Sequence, residues 1–153
     1  MPLTTPRRNK KMYLSVHAKA AKAYRHIDAV TQVDGASPGQ LLILLFENLH
    51  SQLLRAHKAL GENNIADKGL ALGKAVRILD EGLKAALTKN TDDVFTQSLG
   101  DLYGYCAKRL TQANFYNDPL PIEEVIRLMN PIAEAWKSIV AQQAQALRPM
   151  EVA

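Results

Sequence analysis

The sequence contains few of the features on which catalysis, disulfide bonding and membrane insertion depend. It has one cysteine, Cys106, among 153 residues, which excludes an intrachain disulfide and a metal site built from cysteines. The longest apolar run covers only residues 41–46, far short of the roughly 18 residues that indicate a membrane span. It also lacks a glycine-rich phosphate loop and a nucleophile elbow. We therefore expect no membrane insertion, and no enzymatic motif stands out.

The net charge of +4 is unevenly distributed along the chain. Residues 1–27 hold seven basic residues and no acidic one, which leaves 12 basic against 15 acidic residues in the remainder. The opening "MPLTTPRRNKKMY" has no apolar stretch of the signal-peptide type, so we expect a cytoplasmic protein. A basic leader can bind nucleic acid. The plainer interpretation is a solvated, disordered leader over residues 1–11, because no aromatic residue interrupts "RRNKK" and no nucleic-acid module follows it. We therefore expect no nucleic-acid partner.

Four segments with helical periodicity follow, joined by short connections. The first begins at the cap Ser37, with Pro38 at the first helical position and Gln40 completing a capping box, and Gly61 ends it. The second runs over about 64–88. The third starts at the cap Thr91 and ends at the joint "YNDPLP".

The fourth segment runs from Pro121 to about 146, and Pro131 inside it should kink or split the helix. No segment alternates with period two. The sequence thus predicts an all-α fold, an antiparallel up-down four-helix bundle, with a short N-terminal helical segment around residues 15–30. We expect a single domain over residues 12–147 and a disordered tail over 148–153. The expected core faces carry Leu42, Leu45, Leu49, Leu53, Ala56 and Leu60; Ile65, Leu72, Val76, Leu79, Leu83 and Leu87; Phe95, Leu99, Leu102, Cys106, Leu110 and Ala113; and Ile122, Val125, Met129, Ile132, Trp136 and Ile139.

Two pairs of glycines lie one turn apart on two of these helices. Gly69 and Gly73 belong to the second helix, and Gly100 and Gly104 to the third. Such pairs allow either close packing between helices or a shallow groove for a partner segment, and the sequence leaves both interpretations open.

A metal-binding bundle enzyme is the alternative function that the sequence raises. Glu47 and His50 form a Glu-x-x-His motif, as in the di-iron sites of helix bundles. Such a site needs a second motif, and His17, His26 and His57 have no glutamate three residues before them. Half of the ligand set is missing, so we expect no metal and no cofactor.

Apolar and aromatic residues exceed what a simple amphipathic stripe requires. Six consecutive apolar residues, 41–46, cover every side of a helix, since successive residues lie about 100° apart. Tyr103 and Tyr105 point about 200° apart on the third helix, so one of them should be exposed or lie beneath a partner. Surplus apolar surface of this kind marks binding sites.

Several stretches together resemble one family, the flagellar secretion chaperone FliS. They are "AYRHIDAVTQVDGASPGQLLILLFENLHSQLLRAHKAL", "NIADKGLALGKAVRILDEGL", "SLGDLYGYCAKRLTQAN" and "IEEVIRLMNPIAEAW". The most specific is Leu-Tyr-x-Tyr followed by Arg-Leu-x-x-Ala-Asn. The resemblance covers about residues 12–139, whereas Gly73, Gly104, Cys106 and Pro131 depart from the usual pattern.

The resemblance implies a helix bundle that binds the C-terminal segment of flagellin, prevents its premature polymerisation and docks at the flagellar export gate, without chemistry or cofactor. The apolar run would then be covered on one side by the bundle and on the other by the N-terminal segment or by the client, unless the bundle and residues 12–30 cover it permanently. Oligomeric state is left open, a homodimer included. The residues expected at the client are Leu42, Leu45, Phe46, Leu72, Tyr103, Tyr105, Arg109 and Asn114. Those expected in a lid that contacts the export gate are Tyr13, Tyr24 and Ile27.

Overall fold

A computed structural model describes residues 37–87 and 93–147 of the chain. The predicted leader 1–11, the predicted segment around 12–30 and the predicted tail 148–153 lie outside the described residues. The predictions for Tyr13, Tyr24 and Ile27 therefore remain predictions.

Helix α1, Pro38–Gly61, begins as its sequence predicts. The Ser37 hydroxyl accepts a hydrogen bond from the Gln40 backbone N–H at 3.2 Å, and the Gln40 side chain accepts one from the Ser37 N–H at 3.0 Å. This reciprocal capping box satisfies two backbone donors that no helical carbonyl can reach. After α1 the chain turns through Asn63, whose φ of 56° is left-handed.

Helix α2, Ile65–Arg77, is capped by Asn64, whose side chain accepts from the Asp67 N–H. It continues directly into a stretch of π-helix, Ile78–Lys84, called the π segment below. The sequence did not predict the π segment, because its residues have ordinary helix-forming character.

Helix α3, Val94–Tyr116, starts two residues later than predicted. Asp93, not Thr91, is its cap, and the Asp93 carboxylate accepts from the Phe95 N–H at 3.1 Å and from the Thr96 hydroxyl at 3.2 Å. A carboxylate is favoured at this end of a helix because it also interacts with the positive end of the helix dipole.

Helix α4, Leu120–Leu147, passes through Pro131 without interruption. Pro131 therefore does not split the helix, and a kink stays a prediction. Proline frees the carbonyl of the residue four positions earlier, here Arg127. Arg127 and Pro131 are both exposed, so water can hydrate the Arg127 carbonyl.

The helices form an all-α bundle in which each packs against its neighbours in the chain. α1 packs against α2 and the π segment, both of these pack against α3, α3 packs against α4, and α4 returns to α1. The predicted up-down order of directions stays a prediction. Within the described ranges, no helix is both long and apolar enough to span a membrane.

The core follows the predicted stripes except at three exposed positions, and the other predicted residues are buried or partly buried against the core. Phe95, Ile65 and Ile139 were predicted inside but are 64%, 51% and 39% exposed. Ile65 and Phe95 lie in the first turn of their helices, and Ile139 lies in the last third of α4. Within the run 41–46, four residues are buried, whereas Ile43 and Leu44 are partly exposed.

The two glycine pairs differ in their surroundings. Among the described residues, a Cβ at Gly69 or Gly73 would meet nothing within 4 Å, so close packing against another described helix does not explain this pair. On α3, a Cβ at Gly100 would lie 3.5 Å from Leu87 Cδ1, and one at Gly104 would lie 3.4 Å from Lys84 Nζ. The α3 pair therefore does face a neighbouring element.

Candidate functional site

A groove of about 550 Å³ runs between α1 and α4. Its floor is apolar, because Phe46, Leu49, Leu53 and Met129 are buried there. Its rim is polar and mostly exposed, and Glu134 and Lys137 on α4 form an ion pair at 3.5 Å. The remaining lining residues are Glu47, His50, Ser51, Ile126, Asn130 and Ala133. An apolar floor with a polar rim suits the apolar face of an amphipathic segment.

Most of the apolar residues predicted to touch a client are core residues in this structure. Leu42, Leu45, Phe46, Leu72 and Tyr103 are all buried. Phe46 also lines the groove, whereas the other four do not. In this conformation, Phe46 is thus the one of the five that a ligand of the groove can reach without a rearrangement.

Tyr103 and Tyr105 occupy opposite environments, which confirms that one of them is exposed. Tyr103 is 2% exposed and Tyr105 is 45% exposed. Burial raises the pKa of the Tyr103 hydroxyl, and the side chain of Trp136 on α4 hydrogen-bonds to it. The indole can only donate, so the Tyr103 oxygen accepts. Tyr103 is therefore a polar link between α3 and α4.

Tyr105 and Arg109 converge on one carboxylate of α4. The Tyr105 hydroxyl donates to Glu124 Oε2 at 2.8 Å, and Arg109 Nε donates to Glu124 Oε1 at 2.6 Å. Arg109 Nη1 also donates to Gln112 at 2.8 Å. The Arg109 and Tyr105 hydrogen bonds lower the pKa of Glu124, and the contact with Glu124 raises the pKa of Tyr105. Two residues predicted at the client thus already have a partner within the bundle.

Lys68 is the polar residue that sequence reasoning missed. It is 4% exposed, and its ammonium donates to the Asn114 carbonyl at 2.9 Å and to Asn117 Oδ1 at 2.7 Å. Asn117 is the left-handed C-cap of α3, with φ 52°. A cation at this end interacts favourably with the helix dipole. The signal in the sequence was a lysine at spacings of three and four from the buried Ala71 and Leu72. The side chain of Asn114, predicted at the client, is exposed.

Glu47 and His50 both lie exposed on the rim of the groove. His57, seven residues after His50, instead contacts Glu123 on α4 at 3.0 Å. Across residues 37–87 and 93–147, no three His, Cys, Asp or Glu side chains come together in a group that could hold a metal ion.

Known proteins match most of this chain. The family model for "Flagellar protein FliS" matches residues 20–143. The chain is 43% identical over 122 residues to the flagellar secretion chaperone FliS of Salmonella typhimurium, covering 80% of this chain and 90% of that protein. It is 42% identical over 120 residues to the Escherichia coli protein of the same name, covering 78% and 88%. The Bacillus subtilis protein of that name is 30% identical over 111 residues, covering 72% and 81%.

The matched range contains the residues that join the helices. Lys68 and Asn114, Tyr103 and Trp136, and Arg109 with Glu124 all lie within 20–143. With a family model over most of its length and relatives above 40% identity, the chain belongs to the FliS family of flagellar proteins.

Proposed function

We propose that this chain is a cytoplasmic export chaperone that binds the C-terminal segment of flagellin, prevents its premature polymerisation and delivers it to the flagellar type III export gate. The observation that carries the proposal is the 43% identity to a protein named flagellar secretion chaperone over most of both chains. The groove between α1 and α4 supports it, because an apolar floor within a polar rim suits the apolar face of an amphipathic client segment.

Binding in the groove would order a client segment, which costs several kcal/mol of conformational free energy. The interface therefore has to extend beyond the groove. Tyr105 and Arg109 supply a second, polar contact region on α3, and a client that bonds to them has to compete with Glu124. We place the tyrosine contact at Tyr105, because Tyr103 is not accessible in this conformation.

The N-terminal residues complete the proposal. We propose that residues 12–30 cover part of the client surface in the free protein and that Tyr13, Tyr24 and Ile27 contribute to this lid and to the export-gate contact. A lid that competes with the client weakens the apparent affinity by the fraction of molecules in which it is closed. Replacing Tyr24 with alanine should then impair gate binding and spare the client.

The test is titration calorimetry of the full chain with a peptide of the last ~40 residues of flagellin, a length that allows a large coupled-folding interface. We expect one-to-one binding, and circular dichroism of the mixture should show more helix than the sum of the components. Binding without any gain in helix would contradict the ordering of the client.

A pair of variants on α4 tests the groove. Ala133→Glu places a carboxylate inside the groove, whereas Ala135→Glu places it on an exposed position that does not line it. A client that covers this carboxylate against the apolar floor has to remove its water, so we expect Ala133→Glu to weaken binding about tenfold or more. Ala135→Glu should change affinity by about twofold at most. Equal affinities of the two variants would exclude the groove as the binding site.

A further inference from the structure

The π segment, Ile78–Lys84, interrupts an otherwise α-helical element. A π-helix bonds each N–H to the carbonyl five residues back, so it accommodates one residue more than an α-helix over the same turn. Such segments are rare in proteins and occur frequently at functional sites. The extra residue has to be explained either by the packing around it or by a conformational role.

One side of the π segment is packed inside the bundle, and its other side carries exposed residues. It contacts α3 and α1, and its buried residues are Ile78, Leu79, Gly82 and Leu83. Asp80, Glu81 and Lys84 are exposed. No buried side chain in the segment carries a charge, so a rotation of the segment brings no charge into the core unless Asp80, Glu81 or Lys84 turns inward.

The sequence of this region also satisfies ordinary α-helical geometry. The buried residues Ala75, Ile78, Leu79, Gly82, Leu83 and Ala86 recur at spacings of three and four. That spacing is the stripe of an α-helix, in which residues three and four apart share a face. The same apolar residues can therefore face the core in an α-helix and in the π-helix, which keeps the two forms close in free energy.

The two forms differ in what they present to α3. In the structure, Lys84 Nζ lies 3.4 Å from where a Cβ on Gly104 would stand, and Leu87 Cδ1 lies 3.5 Å from where one on Gly100 would stand. If the π segment converts to an α-helix, the helical residues that follow it shift by one residue position. This shift is about 1.5 Å along the helix axis and about 100° around it. Lys84 and Leu87 then leave their positions over the two glycines.

We propose that residues 78–87 interconvert between a π form and an α form, and that the conversion uncovers the strip of α3 around Gly100 and Gly104. The interconversion is a property of the free protein. Its consequence, that the α form is the one with higher affinity for the client, rests on the proposed function.

Deletion of Asp80 tests the interconversion. Without this exposed residue, the segment no longer holds one residue more than an α-helix. It therefore becomes α-helical, while Lys84 and Leu87 keep their places over α3. The measurement is backbone amide relaxation dispersion on the full chain, which detects exchange on the microsecond-to-millisecond timescale. We expect exchange at the amides of residues 78–87 in the unmodified protein and its loss in the deletion variant.

The matched control is Asp80→Ala, which removes the same carboxylate but keeps the residue count, and it should retain the exchange. Deletion of Glu81, the next exposed residue of the π segment, also removes one residue and serves if the first deletion does not fold. Absence of exchange in the unmodified protein, or equal exchange in a folded deletion variant, would overturn the proposal.

Calorimetry with the flagellin peptide then tests the consequence for the client. The Asp80 deletion variant, whose helix is locked in one register, should bind the peptide about fivefold or more weakly than Asp80→Ala does. Fivefold is the lower end of the coupling commonly found between two sites. Equal affinities would overturn the link to the client. Failure of the unmodified chain to bind the peptide would instead count against the proposed function, since the dispersion measurement uses no client.

Discussion

Replacement of Lys68 by methionine removes a buried cation from the end of α3 while keeping an unbranched side chain of similar length. The ammonium group holds the Asn114 carbonyl and the Asn117 side chain, and through them it joins the start of α2 to the C-cap of α3. Methionine keeps the packing of the lysine stem, so the experiment isolates the charged head from the aliphatic part.

The expected loss follows from three contributions. A hydrogen bond to a charged group contributes about 1.5–3 kcal/mol, and a partly buried cation at a helix C-terminus contributes up to about 2 kcal/mol. Opposing them, methionine avoids the desolvation of a buried ammonium. Asn114 and Asn117 are exposed, so water can replace the lost donor. We therefore expect the lower end of these values, about 2 kcal/mol of unfolding free energy.

Urea denaturation monitored by circular dichroism measures the loss, and a thermal melt should show a midpoint about 4–8 °C lower for a chain of this size. The control is Lys74→Met, an exposed lysine two turns further along α2, which should change stability by about 0.5 kcal/mol at most. If Lys68→Met is as stable as Lys74→Met, then the Lys68 contacts contribute nothing net and our explanation of the buried lysine is wrong.

Three further predictions concern the polar links and the N-terminal residues. Tyr103→Ala should lower the unfolding free energy by about 3–5 kcal/mol, whereas Tyr105→Ala should weaken flagellin binding by about 1–3 kcal/mol with a smaller effect on stability; loss of stability in both without loss of affinity in either would contradict this division. Arg109 holds the folded pKa of Glu124 below 4.5, its ordinary value, so the stabilisation is complete above that pH and is lost as the pH falls through the lower, folded pKa. When urea melts at about pH 6 and about pH 3 are compared, the unfolding free energy of Glu124→Gln should therefore fall less than that of the unmodified chain. Equal losses would show that the Arg109–Glu124 contact does not stabilise the folded state. Deletion of residues 1–30 should tighten flagellin binding in calorimetry and abolish binding to the export gate, whereas an affinity equal to or weaker than that of the full chain would rule out a competing lid.

The sequence predicted the helices well because the signals for them are local. The capping box at Ser37 and Gln40 formed as expected, since both partners lie within one turn. The cap of α3 was placed two residues early because Thr91 and Asp93 are both good caps. Nothing local distinguishes them.

The candidate site was harder to predict because it depends on which neighbours each face meets. Spacing alone showed that Tyr103 and Tyr105 face different ways, but not which of them faces the core. The groove between α1 and α4 brings together residues more than 70 positions apart, for example Phe46 with Met129. No sequence pattern within either helix reveals such a pairing.

By itself, the sequence determined that the chain is all-helical, where the helices begin and end to within about two residues, and that it resembles the FliS family. These properties depend on periodicity, caps and motifs that act over a few residues. Only the tertiary structure decided that Lys68 is buried against the end of α3, that Tyr105 and Arg109 share Glu124, and that the chain after α2 passes through a π-helix. Each of these depends on distances between elements far apart in the chain or on the packing of one helix against another. A polar side chain or an extra residue is accommodated or excluded by that packing, not by its immediate neighbours in sequence.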